Sequence, residues 1–204
     1  TIVFEKNGVK VALHAMSSVP ERYAKQSIDA WNPQPVEGAY NILVLHQSID
    51  PYVYSPLEPP SLTRSNLPKG FDLILNGHLH THFVDSADGV PLIILGSTVI
   101  TQFEKNEAQI EKGIIFVDCA TRKTDFVPLQ RNRKFFYEEI KLESSSRLRD
   151  IVEQKISNVI HVMNLQKPPV IKMKIFGSET DLISQDLHHI ERKYEGRAFL
   201  IFSK

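Results

Sequence analysis

The stretch Phe71-Asp72-Leu73-Ile74-Leu75-Asn76-Gly77-His78-Leu79-His80 decides how the rest of the chain is interpreted. Its apolar first half predicts a buried strand, and the Gly-His-x-His end predicts a loop that leaves the carboxyl end of this strand. Upstream, the apolar run 41–45 ends in His46 in the same manner. Because ligands of open α/β sheets gather beyond the carboxyl ends of the strands, we expect His46, His78 and His80 to meet in one crevice.

Three imidazoles at one crevice favour metal binding, since neutral imidazole is the commonest side-chain metal ligand. His78 and His80 are two residues apart on a loop, so their rings can point towards different ions. That arrangement suits a site in which two ions about 3.5–4 Å apart bind a phosphoryl group. A single histidine at a strand end, such as His46, is more often a hydrogen-bonded structural residue. The repetition at matched positions of two strands favours metal ligation.

Composition sets few limits on function. The chain has 204 residues, with 24 Lys and Arg against 24 Asp and Glu, so its formal charge is zero. This balance neither supports nor excludes nucleic-acid binding, because a local basic patch can still bind phosphates. The single cysteine, Cys119, cannot form an internal disulfide, which favours an intracellular setting. No apolar run approaches the roughly 20 residues that span a bilayer, so we expect no membrane segment.

Local signals before His80 predict three features. Asn7-Gly8 between two β-rich runs predicts a hairpin. Pro20 predicts the start of a helix that continues through Ile28. Residues 50–70 contain five prolines and predict a long loop beside the site, with a short helical turn at 62–67.

The region after His80 predicts a meander. A turn is expected at 85–89 and a strand at 91–95, followed by a polar loop at 104–112 and further strands. Few helical patterns separate these strands, so antiparallel pairing is expected. Several runs are continuously apolar, which is typical of strands that are buried on both faces.

The pattern changes at residues 131–134, beyond which strands and helices alternate. Residues 170–176 alternate between apolar and polar side chains at Ile171-Lys172-Met173-Lys174-Ile175 and predict a strand. The other predicted elements of this region are a strand at 135–142, a helix from Ser144–146 to about Met163, a helix at 182–194 and a strand at 198–202. The chain is therefore predicted to be α/β (α+β), with one domain at 1–130 and a small α+β domain at 131–204.

Four short motifs resemble the last motifs of the calcineurin-like metallophosphoesterases. They are Leu45-His46-Gln47, Asn76-Gly77-His78-Leu79-His80, Gly96-Ser97-Thr98 and Glu111-Lys112-Gly113. The last two, with a small α+β unit behind them, resemble more closely the Mre-eleven and SbcD branch of DNA double-strand-break repair nucleases. The resemblance implies that 1–130 is the C-terminal half of a four-layer metallophosphoesterase β-sandwich, and that 131–204 is a DNA-binding capping domain.

The resemblance also implies a cofactor that this chain completes only in part. By analogy, His46 and His78 would bind one Mn²⁺ and His80 a second, with Mg²⁺ as a possible substitute. The earlier motifs of the family, Asp-x-His, Gly-Asp and Gly-Asn-His, do not occur at a strand end in this sequence. We therefore assign no catalytic residue within the chain, and expect it to be inactive alone.

The partners implied by the resemblance are DNA, a Rad-fifty-type SMC-like ATPase and a second copy of the full protein, in the cytoplasm or nucleoid, or in the nucleus. Basic residues near the predicted site or on the predicted cap are candidate phosphate contacts. They are Arg64, Lys69, Arg131, Arg133, Lys134, Lys172 and Lys174. Alternation places Lys172 and Lys174 on one strand face, expected to be exposed.

Two other functions remain open at this point. The chain could be a non-catalytic DNA-binding and scaffolding module of the same complex, acting through the cap. It could also be a phosphoesterase of small nucleotides, with a similar metal site and a different cap. Metal dependence on the histidines separates the first alternative from the nuclease, and DNA binding at stated salt separates the second.

Overall fold

The computed structural model is a mixed α/β structure, which confirms the predicted fold class. It describes residues 1–53, 57, 59–130, 133–142, 148–162, 165–177 and 187–203. Within those ranges it contains eleven strands and three α-helices. The chain divides into two compact units, and the segment Val99–Glu111 belongs to the second of them. The first unit is Thr1–Thr98 with Lys112–Leu129, and the second is Val99–Glu111 with Gln130–Lys204.

The first unit is built on a six-stranded sheet with the order β1-β2-β3-β4-β6-β5. Its strands are β1 (Ile2–Lys6), β2 (Val9–Ala15), β3 (Tyr40–Leu45), β4 (Leu73–Asn76), β5 (Phe83–Ala87) and β6 (Val90–Ile94). The neighbours β2, β3, β4 and β6 run parallel, and the edge strands β1 and β5 pair antiparallel with them. The apolar runs that predicted buried strands therefore form the centre of the sheet.

The hairpin predicted at Asn7-Gly8 is confirmed. Both residues have positive φ, 53° and 78°, which the tight turn between β1 and β2 requires. The helix predicted after Pro20 is also confirmed as α1 (Glu21–Trp31), and Asn32 ends it in the left-handed conformation.

In the region after His80, the predicted antiparallel pairing is confirmed and the position of one predicted turn is corrected. β5 pairs with β6, and a separate two-stranded sheet joins β7 (Gly113–Asp118) to β8 (Lys123–Pro128). The turn predicted at 85–89 is limited to Asp88-Gly89, because residues 85–87 continue β5. Pairing with β6 outweighs the turn-forming composition of this stretch.

The long loop at 50–70 is anchored to the core of the first unit. Leu62 and Leu67 are buried in the same hydrophobic cluster as Leu45 and Ile74. Full burial of a leucine side chain stabilises a fold by about 1.5–3 kcal/mol. The helical turn predicted at 62–67 is confirmed as the 3₁₀ turn Arg64–Asn66.

The second unit contains a three-stranded parallel sheet with the order β11-β10-β9. Its elements are β9 (Phe135–Lys141), α2 (Leu148–Val162), β10 (Val170–Phe176), α3 (His188–Lys193) and β11 (Phe199–Ser203). The strand predicted at 170–176 is confirmed at both ends, and its alternate residues Ile171, Met173 and Ile175 are buried in the core. Parts of the two predicted helices, Ser144–146, Met163 and 182–186, lie outside the described residues.

On the other face of the sheet, the segment Val99–Glu111 contacts β9 and β10 through Phe103. The Phe103 ring lies 5.4 Å from that of Phe135, and Lys172 Nζ donates a hydrogen bond to the Phe103 carbonyl at 2.7 Å. The side chain of Lys172 is consequently only 17% exposed. Lys172 and Lys174 do share a strand face, but the expectation that this face is exposed is wrong at Lys172.

None of the helices in the described ranges is both long and apolar enough to cross a bilayer.

Candidate metal centre

The parallel strands of the first unit bring four chain segments to one edge of the sheet. In parallel strands, the carboxyl ends lie at the same edge, where polar side chains can meet. The segments that follow the four strands are Ser17-Ser18 after β2, His46-Gln47 after β3, Gly77-His78 after β4 and Gly96-Ser97 after β6. Three of them contain motifs that the sequence singled out.

His46 and His78 lie side by side at this edge. Their ring centroids are 5.6 Å apart and the ring planes are nearly perpendicular, at 86°. The neighbouring strands set this distance, because Leu45 of β3 is paired with Asn76 of β4 and the Gly77 amide donates to the Leu45 carbonyl at 3.0 Å.

Gly77 leaves the space that the His46 ring occupies. A Cβ atom at residue 77 would lie 3.3 Å from His46 Nδ1, closer than most carbon contacts of this kind. A side chain there would therefore push the imidazole away from its position. His46 is exposed and His78 is half-buried, so the pair is accessible from one side.

A buried amide pair locks the two histidine loops together. Asn76 Nδ2 donates to the Gln47 carbonyl at 2.8 Å, and the Gln47 amide donates to Asn76 Oδ1 at 3.2 Å. Asn76 is fully buried and Gln47 is 2% exposed. Because the Asn76 side chain satisfies both buried backbone groups of Gln47, it fixes the two strand ends relative to each other. It thereby fixes His46, which precedes Gln47, and Gly77, which follows Asn76.

His80 is held through its backbone. Its carbonyl accepts hydrogen bonds from Lys112 Nζ at 3.0 Å, from the Ser97 amide at 3.2 Å and from Ser97 Oγ at 3.4 Å. In the described parts of the chain, no three His, Cys, Asp or Glu side chains are grouped so that they could hold an ion. The structure thus pairs His46 with His78 and leaves His80 outside a three-residue cluster.

Two other histidines of the first unit have structural surroundings. His82 stacks on Phe126 with ring centroids 4.6 Å apart, and its Nδ1 is 3.0 Å from the Ile94 carbonyl. His14 is fully buried, with Nε2 3.3 Å from Asn41 Oδ1. Both rings have packing and hydrogen-bonding partners, so the structure gives them a role in the fold.

A polar cleft of about 680 Å³ lies beside His78 and was not predicted. Its lining combines His78 with the start of α1 and with serines from two loops: Ser18, Val19, Pro20, Glu21, Arg22, Gln47, Ser48 and Ser61. The volume is within the range of small-ligand sites. The signal that could have found Ser18 is its position three residues after β2, a strand that runs parallel to the strand preceding His46.

Arg64, one of the candidate phosphate contacts, forms an ion pair within the first unit. Its guanidinium lies 2.5 Å from Asp85 Oδ2 and donates to the Tyr52 hydroxyl at 3.2 Å. Tyr52 in turn donates a hydrogen bond to Asp85. This bond, with the nearby Arg64 charge, holds the pKa of Asp85 below its ordinary value, while burial raises the pKa of Tyr52.

The remaining basic candidates lie in different surroundings. Lys69 of the first unit and Lys134 of the second are exposed. Arg133 donates to a carbonyl of the loop before β10 and lies over the Phe199 ring at 4.5 Å. Arg131 lies outside the described residues. Exposed cations keep their capacity to contact phosphate, whereas Arg133 would have to share its donors.

Comparison with known proteins gives relatives of low identity over most of the chain. No protein-family model matches. The chain is 29% identical over 171 residues to the DNA double-strand break repair protein Mre11 of Sulfolobus acidocaldarius, which covers 80% of this chain and 42% of that protein. The chain is similar to the MRE11 proteins. It is 26% identical over 159 residues to MRE11 of Encephalitozoon cuniculi and 22% identical over 178 residues to MRE11 of Mus musculus.

These matches cover 76% and 81% of the chain, and 26% and 24% of the two MRE11 relatives. The chain therefore spans less than half the length of the MRE11 proteins that it matches. Those relatives are double-strand break repair proteins.

The two imidazoles at the edge would fit part of the ligand set of a divalent ion. Two adjacent imidazoles, His46 and His78, suit a first-row divalent ion. Manganese and magnesium prefer oxygen ligands, and a hard ion takes about six of them. The described side chains around the pair would therefore supply only a share of the ligands of such an ion.

Proposed function

We propose that this chain is part of a metal-dependent DNA nuclease, which hydrolyses phosphodiester bonds in double-strand break repair. The observation that carries the proposal is the His46–His78 pair at the carboxyl edge of a parallel sheet, with a polar cleft beside it. Similarity to MRE11 repair proteins over about 80% of the chain supports the DNA substrate. The first unit would be the C-terminal half of the nuclease domain, and the second unit the capping domain.

The histidines would divide between two ions. His46 and His78 would hold one, and His80 would contribute to the second, with Mn²⁺ as the expected ion and Mg²⁺ as a substitute. Two such ions supply Lewis acidity and neutralise charge on a phosphoryl group. The residues of this chain hold the imidazoles in place: Asn76 and Gln47 join the two strand ends, and their burial keeps water away from that joint.

This chain would be inactive without further ligands. Three histidines without a bridging carboxylate cannot keep two hard ions close together. The same proposal includes metal ligands from outside this chain. It also includes a Rad-fifty-type ATPase as partner, a second copy of the full protein and an intracellular setting. Purified chain that degrades linear DNA in the presence of Mn²⁺ would contradict the expected inactivity.

Titration with Mn²⁺ tests the metal site directly. We expect His46→Ala and His78→Ala each to weaken Mn²⁺ binding at least about tenfold, since each removes one of two adjacent ligands. His189→Ala is the matched control, because His189 is exposed in the second unit. If all three variants bind Mn²⁺ as the unmodified chain does, the nuclease proposal loses its chemical basis.

The two alternative functions give different results in the same set of proteins. A non-catalytic scaffold predicts DNA binding with no dependence on His46 or His78. A phosphoesterase of small nucleotides would use the cleft beside His78 but bind DNA weakly at physiological salt. Binding of a short duplex, measured at several salt concentrations, separates this possibility from the nuclease.

A further inference from the structure

Lys112 is a buried cation next to one of the candidate ligands. The residue is 6% exposed. Its ammonium donates hydrogen bonds to the His80 carbonyl at 3.0 Å and to Ser97 Oγ at 2.9 Å. Removing a charged ammonium from water is costly unless it is hydrogen-bonded, so these contacts help to make the buried position possible.

The same carbonyl is held from the other side by the segment after β6. The Ser97 amide donates to the His80 carbonyl at 3.2 Å, and Ser97 can do so because Gly96 turns the chain with φ +76°. A Cβ atom at residue 96 would lie 3.0 Å from the His82 amide nitrogen, so the two segments approach closely only with glycine there. Ser97 and Lys112 thus both donate hydrogen bonds to the His80 carbonyl.

These hydrogen bonds also connect parts of the first unit that are far apart in the sequence. Ser97 and Lys112 flank the segment Val99–Glu111, which packs with the second unit. The chain leaves the first unit just after Ser97 and returns to it at Lys112, and the Lys112 ammonium is hydrogen-bonded to the Ser97 hydroxyl. Hydrogen bonds from a charged donor are roughly twice as strong as neutral ones. A neutral side chain of the same length could not replace them.

We propose that Lys112 is a positioning residue for His80: its ammonium fixes the His80 carbonyl, and thereby the direction in which the imidazole leaves the backbone. This rests on the proposed function, in which His80 is a metal ligand. Groups that orient ligands without touching the ion typically affect metal affinity by about 10–100-fold when they are removed. Lys112 acts on the ion only through His80, and it is not a catalytic residue.

The first test compares Mn²⁺ affinity in three variants of the full chain. Lys112→Met keeps the length of the side chain and removes the charge, and we expect Mn²⁺ binding to weaken about 10–100-fold. Lys112→Arg keeps a cationic donor and should recover part of this loss. Lys25→Met, which removes an exposed lysine of the first unit, should bind Mn²⁺ as the unmodified chain does.

A purely structural role for Lys112 predicts a different outcome. In that case Lys112→Met would lower the melting temperature, yet bind Mn²⁺ normally at a temperature where it is folded. The arginine variant would then differ from the methionine variant in stability alone. Equal Mn²⁺ affinity in Lys112→Met and the unmodified chain overturns the inference.

A second measurement keeps the inference testable without metal. Hydrogen exchange of the Ser97 amide reports directly on its bond to the His80 carbonyl, and Lys112→Met should speed it about tenfold or more. Ser97→Ala, which removes the hydroxyl contacts with the His80 carbonyl and with the Lys112 ammonium, replaces Lys112→Met if the latter does not fold, and should shift the His80 ring signals in NMR spectra. Unchanged exchange or unchanged ring signals refute the positioning role.

The two measurements also separate this inference from the function on which it rests. If Mn²⁺ binding does not depend on His46 or His78, the proposed function fails, while exchange at Ser97 still decides whether Lys112 holds the His80 loop. If Mn²⁺ binds and depends on His46 and His78 but not on Lys112, the function stands and the inference fails.

Discussion

Asn76 is the residue whose loss should most clearly expose how the site is built. It is fully buried, and its amide satisfies both backbone groups of Gln47, with hydrogen bonds of 2.8 and 3.2 Å. Asn76→Ala leaves a buried carbonyl and a buried amide without these partners. Each such loss costs about 1–3 kcal/mol, so we expect the free energy of unfolding to fall by about 3 kcal/mol.

The expected change is large enough for simple assays. For a protein of this size, about 3 kcal/mol corresponds to a fall in melting temperature of about 6–12 °C. Thermal and urea unfolding, followed by circular dichroism, measure it. Asn106→Ala is the matched control, because Asn106 is exposed and its replacement should change stability by less than about 0.5 kcal/mol.

A third variant separates the two hydrogen bonds. Asn76→Asp keeps an acceptor for the Gln47 amide and loses the donor to the Gln47 carbonyl, so it sets a carboxylate oxygen against that carbonyl. It should be destabilised at neutral pH and recover in acid, where the protonated carboxyl can donate again. An Asn76→Ala protein that melts within about 2 °C of the unmodified chain would refute the reasoning.

Two other changes test the geometry around the site. Gly77→Ala sets a Cβ atom 3.3 Å from His46 Nδ1, so we expect Mn²⁺ binding to weaken about tenfold; unchanged affinity in calorimetric titration would show that the ring has room. The pKa of Asp85 is lowered, chiefly by the Tyr52 hydrogen bond, so its contribution to stability is present above its ordinary value of 3.8 and is lost as the pH falls through the lowered pKa. Tyr52→Phe should therefore reduce the loss of stability in acid, measured as urea midpoints from pH 2 to 6; identical acid slopes would count against this linkage.

Local sequence signals were sufficient where the neighbouring residues alone decide the structure. Strand β10 alternates through residues 171–175 and follows Pro168-Pro169, so both its limits and its buried face could be predicted from the sequence. The turn at Asn7-Gly8 needs positive φ at both residues, which this pair adopts easily. The proximity of His46 and His78 follows from parallel strand order, although metal ligation by them stays a prediction.

Long-range contacts account for most of what could not be predicted. Lys112 stands at the end of a polar stretch and looks like a surface residue, yet it is buried by contact with His80, 32 residues earlier. Lys172 has the alternation of an exposed strand face, and a contact 69 residues away in sequence covers it. Neither partner can be recognised from local composition. The residues at 85–87 show the same effect, since β6 draws a turn-like sequence into a strand.

The excursion of Val99–Glu111 into the second unit has a practical consequence for dissecting the protein. A recombinant piece that begins near residue 130 would lack the segment that supplies the Phe103 ring to Phe135 and the carbonyl that receives Lys172. Such a piece would expose the Phe135 ring and leave Lys172 without the Phe103 carbonyl. Binding studies on it would therefore not represent the intact unit. Expression of the intact second unit requires a circularly permuted gene, in which the codons for residues 99–111 are joined to those for residues 130–204.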